Sequence, residues 1–130
     1  MKKRLAAVLL ILAGSCHSAY AESKRIDNEL ERLDPEERLE QRCDIEALSR
    51  IDAARKDMSP DKVIAYTFGA PKVKGTMIDA KGAVFRSHEH WYRLSYHCET
   101  DPTELNVKKF SFKIGAEVPR SKWEHYYLYP

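Results

Sequence analysis

Apolar residues follow three kinds of pattern along this chain. The first is a continuous run from Leu5 to Ala13, behind Lys2, Lys3 and Arg4 and ahead of small residues that end at Ala19-Tyr20-Ala21. The second has helical spacing. Ile26, Leu30 and Leu33 form a short stripe. Leu39, Cys43, Ala47, Leu48, Ile51 and Ala54 form a longer one, with Arg38, Glu40, Arg42, Glu46 and Arg50 mostly off it. The third alternates with a period of two and fills most of the chain beyond Val73, in short runs parted by turn residues.

Asp34-Pro35-Glu36-Glu37 marks the start of the longer helix. Asp34 is placed to accept from the first free amides, Pro35 suits the first helical position, and Glu37 completes a capping-box spacing. The stripe predicts that this helix ends near Lys56, before Ser59-Pro60, with the Cys43 thiol turned to the core. Residues 22–33 read as a short helix or a partly ordered N-terminal extension.

Val63 to Phe68 fits a short helix or a strand, and Gly69-Ala70-Pro71 ends either one. Strands are predicted at Val73 to Ala80, Ala83 to Ser87, Trp91 to Cys98 and Leu105 to Ile114. Lys81-Gly82 and Ser87-His88-Glu89-His90 read as tight turns, and Glu99-Thr100-Asp101-Pro102 as the last connection. In the third strand Tyr92, Leu94, Tyr96 and Cys98 share one face, and Trp91, Arg93, Ser95 and His97 the other. In the fourth, Phe110, Phe112 and Ile114 alternate with Lys109, Ser111 and Lys113. The expected fold is therefore α+β: an N-terminal helix packed on a four-stranded, mostly antiparallel sheet, tied by one disulfide. Val118-Pro119 then leads to Ser121-Lys122-Trp123-Glu124, a second capping-box spacing with a brief helical turn.

The positive start, short apolar middle and A-x-A ending make residues 1–21 a cleavable signal peptide, which implies a periplasmic protein with no transmembrane span. A second reading uses Leu12-Ala13-Gly14-Ser15-Cys16 as a lipoprotein processing site, with a lipid on Cys16 holding the protein at a membrane. With residues 1–21 as the signal peptide, residues 22–33 are the N-terminal extension or short helix and 34–130 one α+β domain. Cleavage removes Cys16 and leaves Cys43 and Cys98, most simply one disulfide in an oxidising compartment. A metal site and a catalytic thiol are the competing readings of these cysteines.

Charge is nearly balanced but uneven. Residues 22–57 hold 12 acidic and 8 basic side chains, and residues 58–130 hold 8 acidic and 11 basic. That asymmetry falls short of a nucleic-acid footprint, so no nucleic-acid partner is expected.

Four stretches together resemble a family of small secreted bacterial proteins, the domain-of-unknown-function family 930. They are Arg38-Leu39-Glu40-Gln41-Arg42-Cys43-Asp44-Ile45-Glu46-Ala47, Gly82-Ala83-Val84-Phe85-Arg86-Ser87, Trp91-Tyr92-Arg93-Leu94 leading to Cys98, and Val118-Pro119 to Trp123. The resemblance covers nearly all of the mature chain. It implies export and the disulfide, and it brings no catalytic residues.

No constellation compels a chemistry. His88-Glu89-His90 suggests a metal site, with His97 as a third imidazole, but His97 has the opposite strand parity and a polar hairpin turn is the plainer reading. There is no Gly-x-Ser-x-Gly elbow, no Gly-rich phosphate loop, and little bulk for a deep cleft between paired carboxylates. A non-enzymatic protein without a cofactor is expected. Its contact with another envelope protein or cell-wall component would be made by outer-face aromatics and their basic neighbours: Trp91, Arg93, Trp123 and Arg86. The opposing reading folds the C-terminal tail over the sheet, with Trp123 capping Trp91. Two other functions stay open: inhibition of an envelope hydrolase through the turn at His88 to His90, and metal binding by His88 and His90.

Overall fold

The patterns become two helices, α1 (Cys16–Leu30) and α2 (Pro35–Ala54), and five strands, β1 (Pro60–Ile64), β2 (Lys72–Lys74), β3 (Met77–Ser87), β4 (His90–Thr100) and β5 (Val107–Glu117). The structure is a computed structural model that describes residues 16–130. The apolar run from Leu5 to Ala13 therefore lies outside the described residues. Among those described, no helix is long and apolar enough to cross a membrane.

All strand pairs are antiparallel. The main path runs β1-β3-β4-β5, and β2 pairs with β3 beside β1. α2 lies across one face. Its Leu39, Cys43, Ala47 and Ile51 pack on Ile78, Ala80, Phe85, Leu94, Tyr96 and Cys98, with Phe110, Phe112 and Ile114 of β5 partly buried against them. The expected parity of β4 and β5 holds throughout. It brings Cys43 and Cys98 together in a buried disulfide with Cα atoms 6.1 Å apart.

Four sequence expectations need correction. Lys81-Gly82 is not a turn. β3 runs through it, and the register with β4 gains one residue between Ala80 and Ala83, a β-bulge. Gly82 is small because the backbone of the 65–69 turn lies on it. A Cβ there would stand 2.7 Å from the Gly69 nitrogen, and Phe68 donates its amide to the Gly82 carbonyl at 2.8 Å. The true turn sits earlier, at Gly75, whose φ of 57° suits glycine; it splits the first expected strand into β2 and β3. Val63 to Phe68 also divides, since β1 ends at Ile64 and the next residues turn.

The start of α2 differs as well. Pro35 opens the helix as expected, but the Asp34 side chain caps nothing. Arg38 instead acts on the other helix. Its guanidinium donates to the carbonyls of Leu30 and Leu33, at 3.0 and 2.8 Å, and thereby satisfies the end of α1. Leu30, at that end of α1, is buried.

Beyond β5 the chain folds back over the outer face of the sheet in two 3₁₀ turns, Arg120–Lys122 and Glu124–Tyr126. Tyr127 takes a left-handed conformation, φ 54°, and this reversal lets Leu128 donate its amide to the Trp123 carbonyl. A second core forms there from Val84, Trp91, Val118, Trp123 and Leu128.

Candidate functional site

Of the four residues expected to make a contact surface, Trp91 and Trp123 lie inside this second core and Arg86 and Arg93 lie against its rings. Trp91 is 2% exposed and Trp123 5%. The expectation of free tryptophans is corrected by the tail. Trp123 donates its indole N–H to the Val118 carbonyl at 2.9 Å, and Trp91 donates to the Tyr129 carbonyl at 2.8 Å. Arg86 is held between Asp61, at 2.8 and 3.0 Å, and the Trp91 ring. Arg93 is exposed but its guanidinium sits over the Phe68 ring, 3.8 Å from the ring centre. These contacts serve packing.

His97 separates from His90 as strand parity requires, and His88 stands apart from both in the turn. His88 and Glu89, with φ of 49° and 63°, form the two-residue turn between β3 and β4, so His88 is not on a strand face. His90 contacts Glu117 on β5. His97 stands elsewhere on the outer face with both ring nitrogens engaged, Nδ1 with Asp79 at 2.7 Å and Nε2 with Glu99 at 3.0 Å. Hydrogen bonds from these two carboxylates raise its pKa above the usual histidine value. Among the described residues no three His, Cys, Asp or Glu side chains are grouped as a metal site would need.

The accessible chemistry lies along β1, at the edge of the sheet, in two adjoining depressions that share Ile64 and Tyr66. One is a cleft of about 360 Å³ between α2 and β1, with Glu40, Asp44, Leu48 and Val63 in its walls. The other is a recess of about 310 Å³ bounded by Thr67, His125, Tyr126 and Tyr127. Tyr66 is 60% exposed and Tyr127 78%, in contrast to the buried tryptophans.

Asp44 is the unusual group of the cleft. It is only 7% exposed, and its Oδ1 accepts a 2.7 Å hydrogen bond from the Tyr96 hydroxyl. Burial raises its pKa to about 7; the Tyr96 bond opposes the shift, and the charge of Glu40 adds to it. The Tyr96 hydroxyl is pushed far above its usual value, by burial first and then by the Asp44 charge. Sequence reasoning passed over this pair, although one signal was present. A tyrosine on the core face of β4 must find a partner for its hydroxyl, and Asp44 is the carboxylate beside Cys43 on the facing helix.

Residues 30–128 match the family model described as Domain of Unknown Function (DUF930). The chain belongs to the DUF930 family. The resemblance carried by the four sequence stretches is thereby established, and the matched span takes in α2, the whole sheet and the tail up to Leu128. No curated protein and no solved structure matches this DUF930 chain.

Proposed function

We propose that this DUF930 protein is an exported, non-enzymatic binding protein of the bacterial envelope, and that it meets its partner through the tyrosine recess beside β1. The observation that carries the reading is the contrast in aromatic exposure. Trp91, Trp123 and Leu128 are withdrawn into a tail-covered core, while Tyr66 and Tyr127 stand out at the rim of one recess. Large amphipathic rings at a concave rim supply contact area at low entropic cost, which is what recognition surfaces use. The buried Cys43–Cys98 disulfide and the signal-peptide pattern of residues 1–21 support an oxidising compartment such as the periplasm.

Arg86, Arg93, Trp91 and Trp123 enter this reading as the support beneath the recess. Phe68 and Tyr126 meet in a tilted pair with ring centres 4.4 Å apart, and both pack on the second core. The test is co-sedimentation with purified cell-wall sacculi alongside capture from solubilised envelope, for the wild type and for Tyr66→Ala with Tyr127→Ala. Loss of either association in the variant is the expected result. Association unchanged by both substitutions removes the recess as the contact.

A further inference from the structure

The cleft beside the recess holds a charge arrangement that packing alone leaves unexplained. Among the described residues the bond from Tyr96 to Oδ1 is the one hydrogen bond acting on the Asp44 carboxyl, and Asp44 lines the cleft. A carboxylate more than nine-tenths buried ordinarily meets a cation or several donors. Here its charged neighbour on α2 is another acid. Glu40, one turn earlier, is itself raised by burial and by the charges of Glu36 and Glu37. From β4 the Tyr96 hydroxyl bonds Asp44 from behind the lining, and from β1 the cleft takes in Asp61 and Lys62. Asp61 is already taken by the Arg86 guanidinium. Lys62 is exposed, and no cation acts on either Asp44 or Glu40 among the described residues.

Apart from the polar Gln41, the rest of the lining is aliphatic, Ile45 and Leu48 on α2 and Val63 and Ile64 on β1, with the exposed Tyr66 completing it. A buried negative end among aliphatic walls and an exposed aromatic ring suits one chemistry, a cation on an apolar stem. Such a group fills the walls with methylenes, brings its charge to the carboxylate and meets a π face.

We infer that the α2–β1 cleft binds an ammonium or guanidinium group carried on an aliphatic stem, as in a lysine or arginine side chain, pairing it with Asp44 and Glu40. The inference rests on the binding-protein reading above and gives the neighbouring recess a partner chemistry, because Ile64 and Tyr66 belong to both depressions. Binding requires Asp44 in its ionised form, so affinity rises with pH through the range in which that carboxyl titrates.

The test titrates the full-length mature protein with N-acetyl-lysinamide and N-acetyl-argininamide, and with uncharged N-acetyl-norleucinamide as control, followed by amide NMR. Saturable shifts at Ile45, Leu48 and Val63 are expected near pH 8 for the two cations only, with affinity at least about tenfold weaker near pH 5. Asp44→Asn, which still offers Tyr96 an acceptor, weakens binding about tenfold or more. Tyr96→Phe removes the bond that favours the ionised carboxyl and moves the onset of binding to higher pH. Equal binding of norleucinamide, undiminished binding by Asp44→Asn, or no saturable shift overturns the inference. Tyr127 borders the recess and not the cleft. If Tyr127→Ala abolishes envelope association while no cation binds, this inference falls and the envelope-binding reading stands. If cations bind and no envelope association is found, the converse holds.

Discussion

The Trp91 indole donates its N–H to the carbonyl of Tyr129, 2.8 Å away and 38 positions along the chain. One bond thus joins the start of β4 to the second-last residue, and it settles what covers the outer face. The sheet has two apolar surfaces because its strands carry large residues at both parities over Val84, Phe85, Trp91 and Tyr92. α2 covers one. The tail covers the other, and satisfying both indole N–H groups with tail carbonyls makes that cover specific.

Trp123→Ala should therefore be a stability variant. Removing a buried tryptophan costs about 3–5 kcal/mol, and here it also frees the segment after Val118. Chemical denaturation should show that loss, and limited proteolysis should cut near the 3₁₀ turns. Tyr66→Ala and Tyr127→Ala, on exposed rings, should shift stability by less than about 0.5 kcal/mol. A well-folded Trp123→Ala protein with an unchanged tail would contradict the role given to this residue.

Gly82→Ala tests the bulge. The new methyl would meet backbone at 2.7 Å, and backbone atoms of Phe68 and Gly69 cannot rotate away as a side-chain tip would. Either the 65–69 turn lifts or the bulge moves, at about 1–3 kcal/mol. Displacing that turn also shifts Tyr66 at the rim of the recess. Amide shifts confined to 64–69 and 80–83, with a lowered unfolding midpoint, are the expected outcome.

Much of the fold was legible because periodicity reports burial directly. The stripe from Leu39 to Ile51 and the alternation in β4 and β5 each name a face, and Cys43 and Cys98 fall on the two faces that meet. Gly82 misled because a glycine needed for close backbone approach looks the same in sequence as a turn glycine. Asp34 misled because a capping spacing shows opportunity, while Arg38 used its local geometry to cap the neighbouring helix. The site was less legible for a related reason. Trp91 and Trp123 announce themselves by size, yet size equally favours burial. The tyrosines left exposed could be told from the buried ones only once the tail's path was known.

Asp44 should leave a mark on stability against pH. Its folded pKa of about 7 lies above the ordinary carboxylate value, so the native state holds a proton that the unfolded chain releases. Its stabilising contribution is complete below about pH 4 and is lost as pH rises towards 7, after which it levels. Asp44→Asn should abolish this slope. The variant should also be the more stable protein near pH 8, by about 2 kcal/mol or more, because each tenfold difference in proton affinity between the folded and unfolded chain is worth ~1.4 kcal/mol. Urea unfolding across pH 4 to 8 for both proteins gives the answer; parallel curves would show that Asp44 does not titrate in this range.

His97 provides a pH effect of its own on the outer face. Asp79 and Glu99 favour its charged ring, so its pKa is raised, and the stability this contributes is present at low pH and lost as pH rises through the folded value. Ring-proton NMR should place the His97 midpoint above the ordinary histidine value. Asp79→Asn should lower it, Glu99→Gln should lower it too, and the double variant should return it close to normal. A midpoint unmoved by either substitution would mean that the contacts at 2.7 and 3.0 Å are not kept in solution.

The disulfide joins positions 55 residues apart and ties α2 to the central strand β4. In the chain-entropy model a loop of that length restricts the unfolded ensemble by about 4 kcal/mol. That is a large share of the ~5–15 kcal/mol typical of a small domain. Cys43→Ala with Cys98→Ala should therefore lower the unfolding free energy by about 2–5 kcal/mol. Binding by the folded fraction should be spared, because neither sulfur borders the recess or the cleft. Protein recovered from the periplasm and weighed intact tests the staple and export together. A chain beginning at Glu22 that takes up alkylating reagent at two cysteines only after reduction is the expected result. Two thiols reactive from the outset would mean that the bond does not form in the cell. A lipid on Cys16 would place the protein at a membrane surface, where the recess would meet partners confined to that surface.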